Sequence, residues 1–515
     1  MIARVYTVAF EGLEARLVEV QCAISPGLPA FNLVGLPTKA VSEAKERVRA
    51  AITALGLALP AKRITLNLSP ADLLKEGSHF DLPIAMALLA AMEVLPLDEM
   101  AATVAMGELS LDGALIAGAG ALPAALAAAA AECTLVCPEA CGAEAAWVGA
   151  AAVIAPASLM ALVNHVKGQA VLAPAEPGVV APPPAPRCLS EVKGQEKAKR
   201  AFEIAAAGRH HLFLVGPPGS GKSMMAARMP GLLPPLDPAE ALETSMIHSL
   251  AGLLREGGIL RTRPFMEPHH TASRAAIVGG GRQAQPGQMS LAHHGVLFLD
   301  EVPEFEGRVL ESLRQPLETG DVVVARANAH VRYPCKFLLV AAANPCRCGH
   351  MAEPARACAR APGCGADYLG RISGPLMDRF DLRVEVPPVA LADLKAAPAG
   401  ETSADIAARI AAARDRQAAR QSTAAGARLN ADLEGEALIA ACPMDADATD
   451  LIARAADRFR LTARGYHRVL RVARTIADLG DKTEIARQHM AEALSYRLSL
   501  RNVCPRSARQ AGAFA

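Results

Sequence analysis

The sequence predicts an α/β protein in three parts: an α+β domain over residues 1–168, a parallel sheet covered by helices over 189–390, and a helical domain over 391–503. Three observations carry that reading. Short strand-like runs alternate with helix-like segments through the first two parts, Pro crowds the stretch between them, and after Pro388 only helical periodicity remains. At 515 residues the chain has length for about three domains of roughly 150 residues and enough apolar surface to bury their cores.

In the first part VYTVAF, ARLVEVQCAI, FNLVGLP and RITLNLSP read as strands, and KAVSEAKERVRAAITALG and LPIAMALLAAMEVL as helices. The first twenty residues alternate apolar with polar and carry charges, which describes a strand pair rather than an export signal. Gly113 to Ala131 is uncharged and long enough to span a bilayer, but it is built from Ala and Gly and interrupted by Pro123. A buried loop and helix is expected there, and no membrane segment. Residues 169–188 hold Pro at a density that favours a stiff, extended connector. Beyond it an amphipathic helix leads into the apolar strand HLFLVG, and GVLFLDE, KFLLVAAAN and LRVEVP follow as further buried strands. Segments such as DIAARIAAARDRQAAR and GYHRVLRVARTIADLG make the third part a helical lid, and the tail 504–515 is expected to be disordered.

Composition bounds the function. With 53 Lys+Arg against 52 Asp+Glu the net charge is +1, so any surface for a polyanion must be local. Aromatic residues at 3% argue against base-stacking platforms, and 20% charged residues with 52% apolar exclude a wholly disordered chain. Twelve Cys without an export signal point to a reducing compartment, the cytoplasm, where thiols or a metal are expected before disulfides.

The strongest local signal is Gly216-Pro217-Pro218-Gly219-Ser220-Gly221-Lys222-Ser223, set between a strand and a helix. Glycines in that spacing let backbone N–H groups and a helix N-terminus surround phosphates, Lys222 adds charge on the β/γ oxygens, and Ser223 can ligate magnesium. ATP with Mg2+ is the expected ligand. Downstream, GVLFLDE ends in Asp300, placed to hold magnesium, and Glu301, placed to polarise the attacking water. Asn344 closes another strand, where its amide could orient that water; taken alone it reads as an Asn-Pro turn.

These pieces resemble the AAA+ ATPases. The phrases NLSPADLLKEGSHFDLPIA, RPFMEPHHTASRAAIVGGG, SLAHHGVLFLDEVPEF, AANPCRCG, RISGPLMDRFDL and GYHRVLRVARTIADL resemble the YifB/ComM family of magnesium-chelatase-like AAA+ ATPases over residues 1 to about 500. The resemblance implies a homo-oligomeric ring, most often a hexamer, with ATP at subunit interfaces. It also implies an activity on single-stranded or branched DNA, of the helicase or branch-migration kind used in recombination and natural transformation. It makes Lys222 and Ser223 the phosphate-loop residues, Asp300 and Glu301 the second acidic motif, Asn344 the first sensor, Arg379 the arginine finger and Arg464 the second sensor. Without the motif, either arginine would read as solvated surface charge.

Between the helix-like EGRVLESLRQPLETG and the strand holding Asn344 lies DVVVARANAHVRYPCKF, read as a hairpin carrying Arg326, His330, Arg332 and Lys336. In related helicases such a hairpin projects into the ring channel, where cations track a phosphate backbone; an exposed hairpin with ordinary surface charge fits the residues equally. A second insertion, Arg263 to Gln288, contains Arg274 and Arg282 and resembles the family's other channel element. Cys346, Cys348, Cys358 and Cys364 lie in a stretch too poor in apolar residues to fold alone, which a Zn2+ staple would hold; reduced thiols are the alternative. The first domain resembles the Lon protease-domain fold. No lysine occurs between Lys75 and Lys167, and His79 appears where that fold carries its serine, so a non-catalytic scaffold or DNA-binding platform is expected. Two rivals stand beside the DNA motor: a chelatase-like protein remodeller and an ATP-dependent protease.

Overall fold

The computed structural model of the chain describes residues 2–180, 187–254, 257–281, 284–325, 330–349, 351, 358–361, 363–389, 400–421 and 429–498. Arg282, Arg326 and the tail 504–515 lie outside the described residues.

The first part is a mixed sheet built from β1 (Ile2–Glu11), β2 (Glu14–Ser25), β3 (Ala30–Val34), β4 (Arg63–Ser69), β5 (Thr103–Ala105), β8 (Thr134–Val136) and β9 (Val153–Ile154), ordered β3-β4-β2-β1-β5-β8-β9. The short strands β6 (Glu108–Leu109) and β7 (Leu115–Ile116) form a separate ribbon. β1 and β2 pair antiparallel from Ile2↔Ala23 to Glu11↔Glu14, and their turn at Gly12 takes a φ of +67° that a residue with a Cβ rarely adopts. Alternation in β1 and β2 sends Val5, Val18 and Val20 to a core closed by the helices Lys39–Ala54 and Asp81–Ala91. Val8 and Val104 face a second core closed by the helix Ala121–Ala130. At the start of its buried helix, Asp81 accepts two hydrogen bonds from the Arg47 guanidinium (2.6 and 3.0 Å) and one from the Leu109 N–H (3.2 Å). No helix among the described residues is long and apolar enough to cross a membrane.

The connector has no helix or strand in its described residues, 169–180 and 187–188. Ala175 N–H donates to the Val153 carbonyl (2.8 Å) and Gly178 N–H to that of Ala143 (3.0 Å), so its first half is pinned along the first domain. Extended Pro-rich backbone still has N–H groups at its non-Pro residues, and these found acceptors on the edge strand β9 and on the helix Glu139–Ala145.

The second part holds β10 (Leu212–Val215), β11 (Phe265–Met266), β14 (Val296–Leu299), β17 (Leu338–Ala343) and β18 (Leu382–Glu385) in the order β11-β14-β17-β10-β18, all parallel. β12 (Gly279–Gly280) pairs with β13 (Gln285–Pro286), and β15 (Asp321–Ala325) with β16 (His330–Pro334), as two antiparallel ribbons outside that sheet. The third part is helical, with Ser403–Gln421, Gly435–Ala441, Ala446–Phe459, Ala463–Leu479 and Arg487–Leu498. These helices share one apolar core with β10, β18 and the helix Glu196–Gly208. They also reach the N-terminal end of β18, where Arg468 bonds Asp381 (2.7 Å) and Arg497 bonds the Phe380 carbonyl (2.9 Å).

Candidate functional site

Parallel strands deliver their C-terminal ends to one edge of a sheet, and here that edge gathers the residues of the nucleotide motifs. The phosphate loop follows β10, Asn344 follows β17 and Asp300 follows β14, so three adjacent strands place them side by side. The Lys222 ammonium donates to the carbonyls of Gly216 (2.7 Å) and Pro217 (3.0 Å) and to Asn344 Oδ1 (3.2 Å). Burial lowers its pKa, and Asp300 and Glu301 counter that. Ser223 Oγ donates to Asp300 Oδ2 at 2.5 Å, so a hydroxyl and a carboxylate converge at one point, a donor set suited to magnesium. Gly216 tolerates no side chain, since a Cβ would lie 2.2 Å from the Val386 carbonyl. Glu301 sits at φ +49°, in the left-handed region, held there by Glu304 N–H on its carbonyl (2.7 Å) and its own N–H on Asp300 Oδ1 (2.8 Å).

Arg379 and Arg464 are elsewhere. Asp381 and His211 mark the N-terminal ends of β18 and β10; Arg468 ties the helix Ala463–Leu479 to Asp381, and Arg379 ion-pairs with Glu318. Arg464 approaches the same Glu318 at 3.5 Å. Strands of four to six residues separate this end from the phosphate loop, roughly 13–20 Å at 3.3 Å per residue. Helical packing thus places Arg464, the residue expected to be the second sensor, with Arg379 at the end of the sheet opposite the phosphate loop. Burial would raise Asp381, but Arg468, His210 and His211 hold it well below the usual carboxylate range, which anchors this end.

The predicted hairpin forms as β15 and β16, with register Asp321↔Pro334 to Ala325↔His330. One face buries Val322, Val324, Val331 and Tyr333, and the Tyr333 hydroxyl donates to the Ala284 carbonyl (2.9 Å). Arg332 projects from the other face, 72% exposed. Lys336 lies past the hairpin at its base, its backbone N–H donating to His293 Nδ1 (3.0 Å) and its side chain packing over Gly320. Arg274 is exposed at the start of the helix Arg274–Val278 in the second insertion. The β1–β2 turn seats against the hairpin: a Cβ on Gly12 would lie 2.7 Å from the Arg332 carbonyl, and Phe10 and Leu13 pack on the same apolar cluster.

The sulfurs of Cys346, Cys348 and Cys364 lie within 4.8 Å of one another, Cys346 and Cys348 at 3.1 Å, and Cys358 reaches Cys364. The cysteines present in the described residues are all free of disulfides. Gly349, next in the chain to Cys348, packs against the phosphate loop, since a Cβ there would lie 2.7 Å from Pro218.

Sequence reasoning missed three residues. Gln195 donates to the Pro387 carbonyl (2.6 Å) and reaches the Ser220 carbonyl (3.5 Å), bracing the phosphate loop; its left-handed φ of +61° has no sequence signal. Asp381 and Glu318 stand out only once the fold pairs them with arginines.

Comparison with known proteins agrees with this layout. The family described as magnesium chelatase, subunit ChlI matches residues 188–394, its companion families matching residues 18–140 and, for the C-terminal region, 400–497. The protein YifB of Salmonella typhimurium is 42% identical over 96% of this chain and 97% of its own length. Competence protein ComM of Haemophilus influenzae is 41% identical over 97% and 98%. The magnesium-chelatase 38 kDa subunit of Rhodobacter capsulatus is 26% identical over 38% of this chain and 55% of its own. The chain therefore belongs to the YifB/ComM family of magnesium-chelatase-like AAA+ ATPases.

Proposed function

We propose that the chain is an ATP-hydrolysing ring motor acting on single-stranded or branched DNA, with helicase or branch-migration activity in recombination or natural transformation. The observation that carries this reading is the separation of Lys222, Asp300, Glu301 and Asn344 from Arg379 and Arg464 by the length of one sheet. A cation at the far end can serve a γ-phosphate only across a subunit interface, which calls for a closed ring, a hexamer in our reading. In such a ring Lys222 neutralises phosphate charge, Glu301 takes the proton of the attacking water and Asn344 orients it. Ser223 and Asp300 would hold magnesium, which supplies positive charge to the phosphate oxygens. Arg379 of one copy, with Arg464, meets the charge that develops on the γ-phosphate of the next. In GTPase systems such an arginine contributes about 10³ to 10⁵ in rate.

The DNA assignment draws on the exposed Arg332 of the β15–β16 hairpin, on the sequence positions of Arg326 and of Arg274 and Arg282 in the second insertion, and on the name of the competence protein the chain is similar to. Lys336 joins them at the hairpin base. We read the first domain, with its likeness to the Lon protease-domain fold, as the scaffold that seats this hairpin. Zinc would suit Cys346, Cys348 and Cys364, whose sulfurs lie within 4.8 Å of one another and can close on an ion at about 2.3 Å, with Cys358 beside Cys364 as a fourth ligand; it would staple the strand end that carries Asn344. A cytoplasmic location suits the free thiols.

ATP turnover with no DNA, with single strands and with a four-way junction tests the proposal, with Glu301→Gln as the blank. Stimulation by DNA is the expected result. Indifference to every DNA would instead favour a protein remodeller, the reading that similarity to the chelatase subunit supports.

A further inference from the structure

We infer that Glu318 is a latch: it holds Arg379 and Arg464 when no neighbour's phosphate engages them, and its release passes the nucleotide state to the channel hairpin. The inference rests on the interface role of Arg379 proposed above. Three guanidiniums gather at the N-terminal end of the sheet. Arg468 is satisfied by Asp381 (2.7 Å) and by the Arg379 carbonyl (2.8 Å). Arg379 and Arg464 share one carboxylate, Glu318. Arg379 is only 4% exposed, its Nε has no partner among the described residues, and its bond to the Pro375 carbonyl is long at 3.5 Å. A buried guanidinium held chiefly by one half-exposed acid is poised to exchange it. Carboxylate and phosphate oxygens accept from arginine in the same way, and the phosphate carries more charge.

The position of Glu318 gives that exchange a mechanical consequence. It lies in the short helix Pro316–Thr319, and Gly320, at φ +73°, turns the chain directly into β15. Cys335 N–H donates to the Gly320 carbonyl (2.7 Å), tying the end of β16 to the same point. Lys336 lies over Gly320, where a Cβ would be 2.9 Å from its Cγ. Both strands of the hairpin are thus fastened at Gly320, two residues from the latch. When a neighbour's γ-phosphate takes the arginines, Glu318 is freed and this base moves; when the phosphate leaves, the carboxylate recaptures them. Glu318 is a positioning residue, since it touches neither nucleotide nor DNA.

Glu318→Gln keeps the shape and removes the charge. The expected result is DNA-free ATP turnover raised about fivefold or more, the lower end of coupling between sites. The ratio of DNA-stimulated to DNA-free turnover should fall toward one, and Glu318→Asp should restore much of it. A structural pair would instead lower thermal stability and scale both rates together. Unchanged or reduced DNA-free turnover in Glu318→Gln, with assembly intact by sedimentation, would overturn the latch, as would a wild-type stimulation ratio. Should Glu318→Gln fail to fold, Glu318→Ala removes the same charge and decides: raised DNA-free turnover with a ratio falling toward one supports the latch, and wild-type rates or loss of both rates together overturn it. A wild-type chain that ignores DNA defeats the DNA reading alone, because the DNA-free comparison still tests the latch.

Discussion

Lys222 has three acceptors for its three ammonium protons, all supplied by the chain, and a phosphate must replace at least one of them. Lys222→Ala should therefore lose nucleotide affinity, Glu301→Gln should retain ATP without turnover, and Arg379→Ala should bind ATP yet stop hydrolysis. In the proposed ring Arg379 serves a neighbour, so mixing Arg379→Ala with Lys222→Ala chains should recover turnover at the mixed interfaces; failure to recover any would contradict hydrolysis between copies. His293 makes a second prediction at this scale. Its Nδ1 accepts the Lys336 N–H, so its proton sits on Nε2, facing Glu243 at 3.2 Å beside His294. Burial pushes its pKa down to about 4 from the usual 6.5, and His211, which accepts the Leu339 N–H, falls to about 3. The unfolded chain binds more protons here, so this stability is whole above about pH 6.5 and is lost as pH falls toward 4. For His293 that amounts to about 3 kcal/mol at most. Glu243, held low by both histidines, acts in the same direction further into acid. Urea midpoints at pH 7.5 and 5 should differ in that sense, and less so in His293→Gln.

At the scale of elements, the strands announced themselves. HLFLVG, GVLFLDE and KFLLVAAAN are short apolar runs that are buried on both faces as β10, β14 and β17. The ribbon β15–β16 was equally legible from its alternation, and its turn residues fall outside the described segment. What alternation does not carry is the partner of a ribbon's far face. The β1–β2 turn meets the hairpin through Gly12, whose φ and contact with the Arg332 carbonyl both exclude a side chain. Gly12→Val should cost about 1–3 kcal/mol of stability, from strain at that backbone position. It should also weaken DNA stimulation while leaving DNA-free turnover, an outcome read from melts and steady-state rates together. The four cysteines are an element of the same kind, legible as a group yet not as a geometry. Metal analysis of the purified chain should give about one zinc per chain, lost with Cys348→Ser and Cys364→Ser; absence of metal with all four thiols titratable would remove the staple.

Over the whole molecule, the sequence by itself determined the α/β class, the strand-to-loop setting of the phosphate loop and of Asp300 with Glu301, and the helical character of the described residues between 403 and 498. Each of these is written in local periodicity or in spacing within one loop, which depends on backbone geometry over a few residues. Only the tertiary structure decided which end of the sheet each arginine occupies. Arg379 and Arg464 are 85 residues apart in the chain, and their meeting at Glu318 depends on how the helix Ala463–Leu479 docks through Arg468 onto Asp381. The left-handed backbone of Glu301, the pinned connector and the seat of the β1–β2 turn belong to the same class. The physical reason is common to all: each depends on a contact between segments far apart in sequence, where packing and charge pairing overrule the local preferences a linear reading can see.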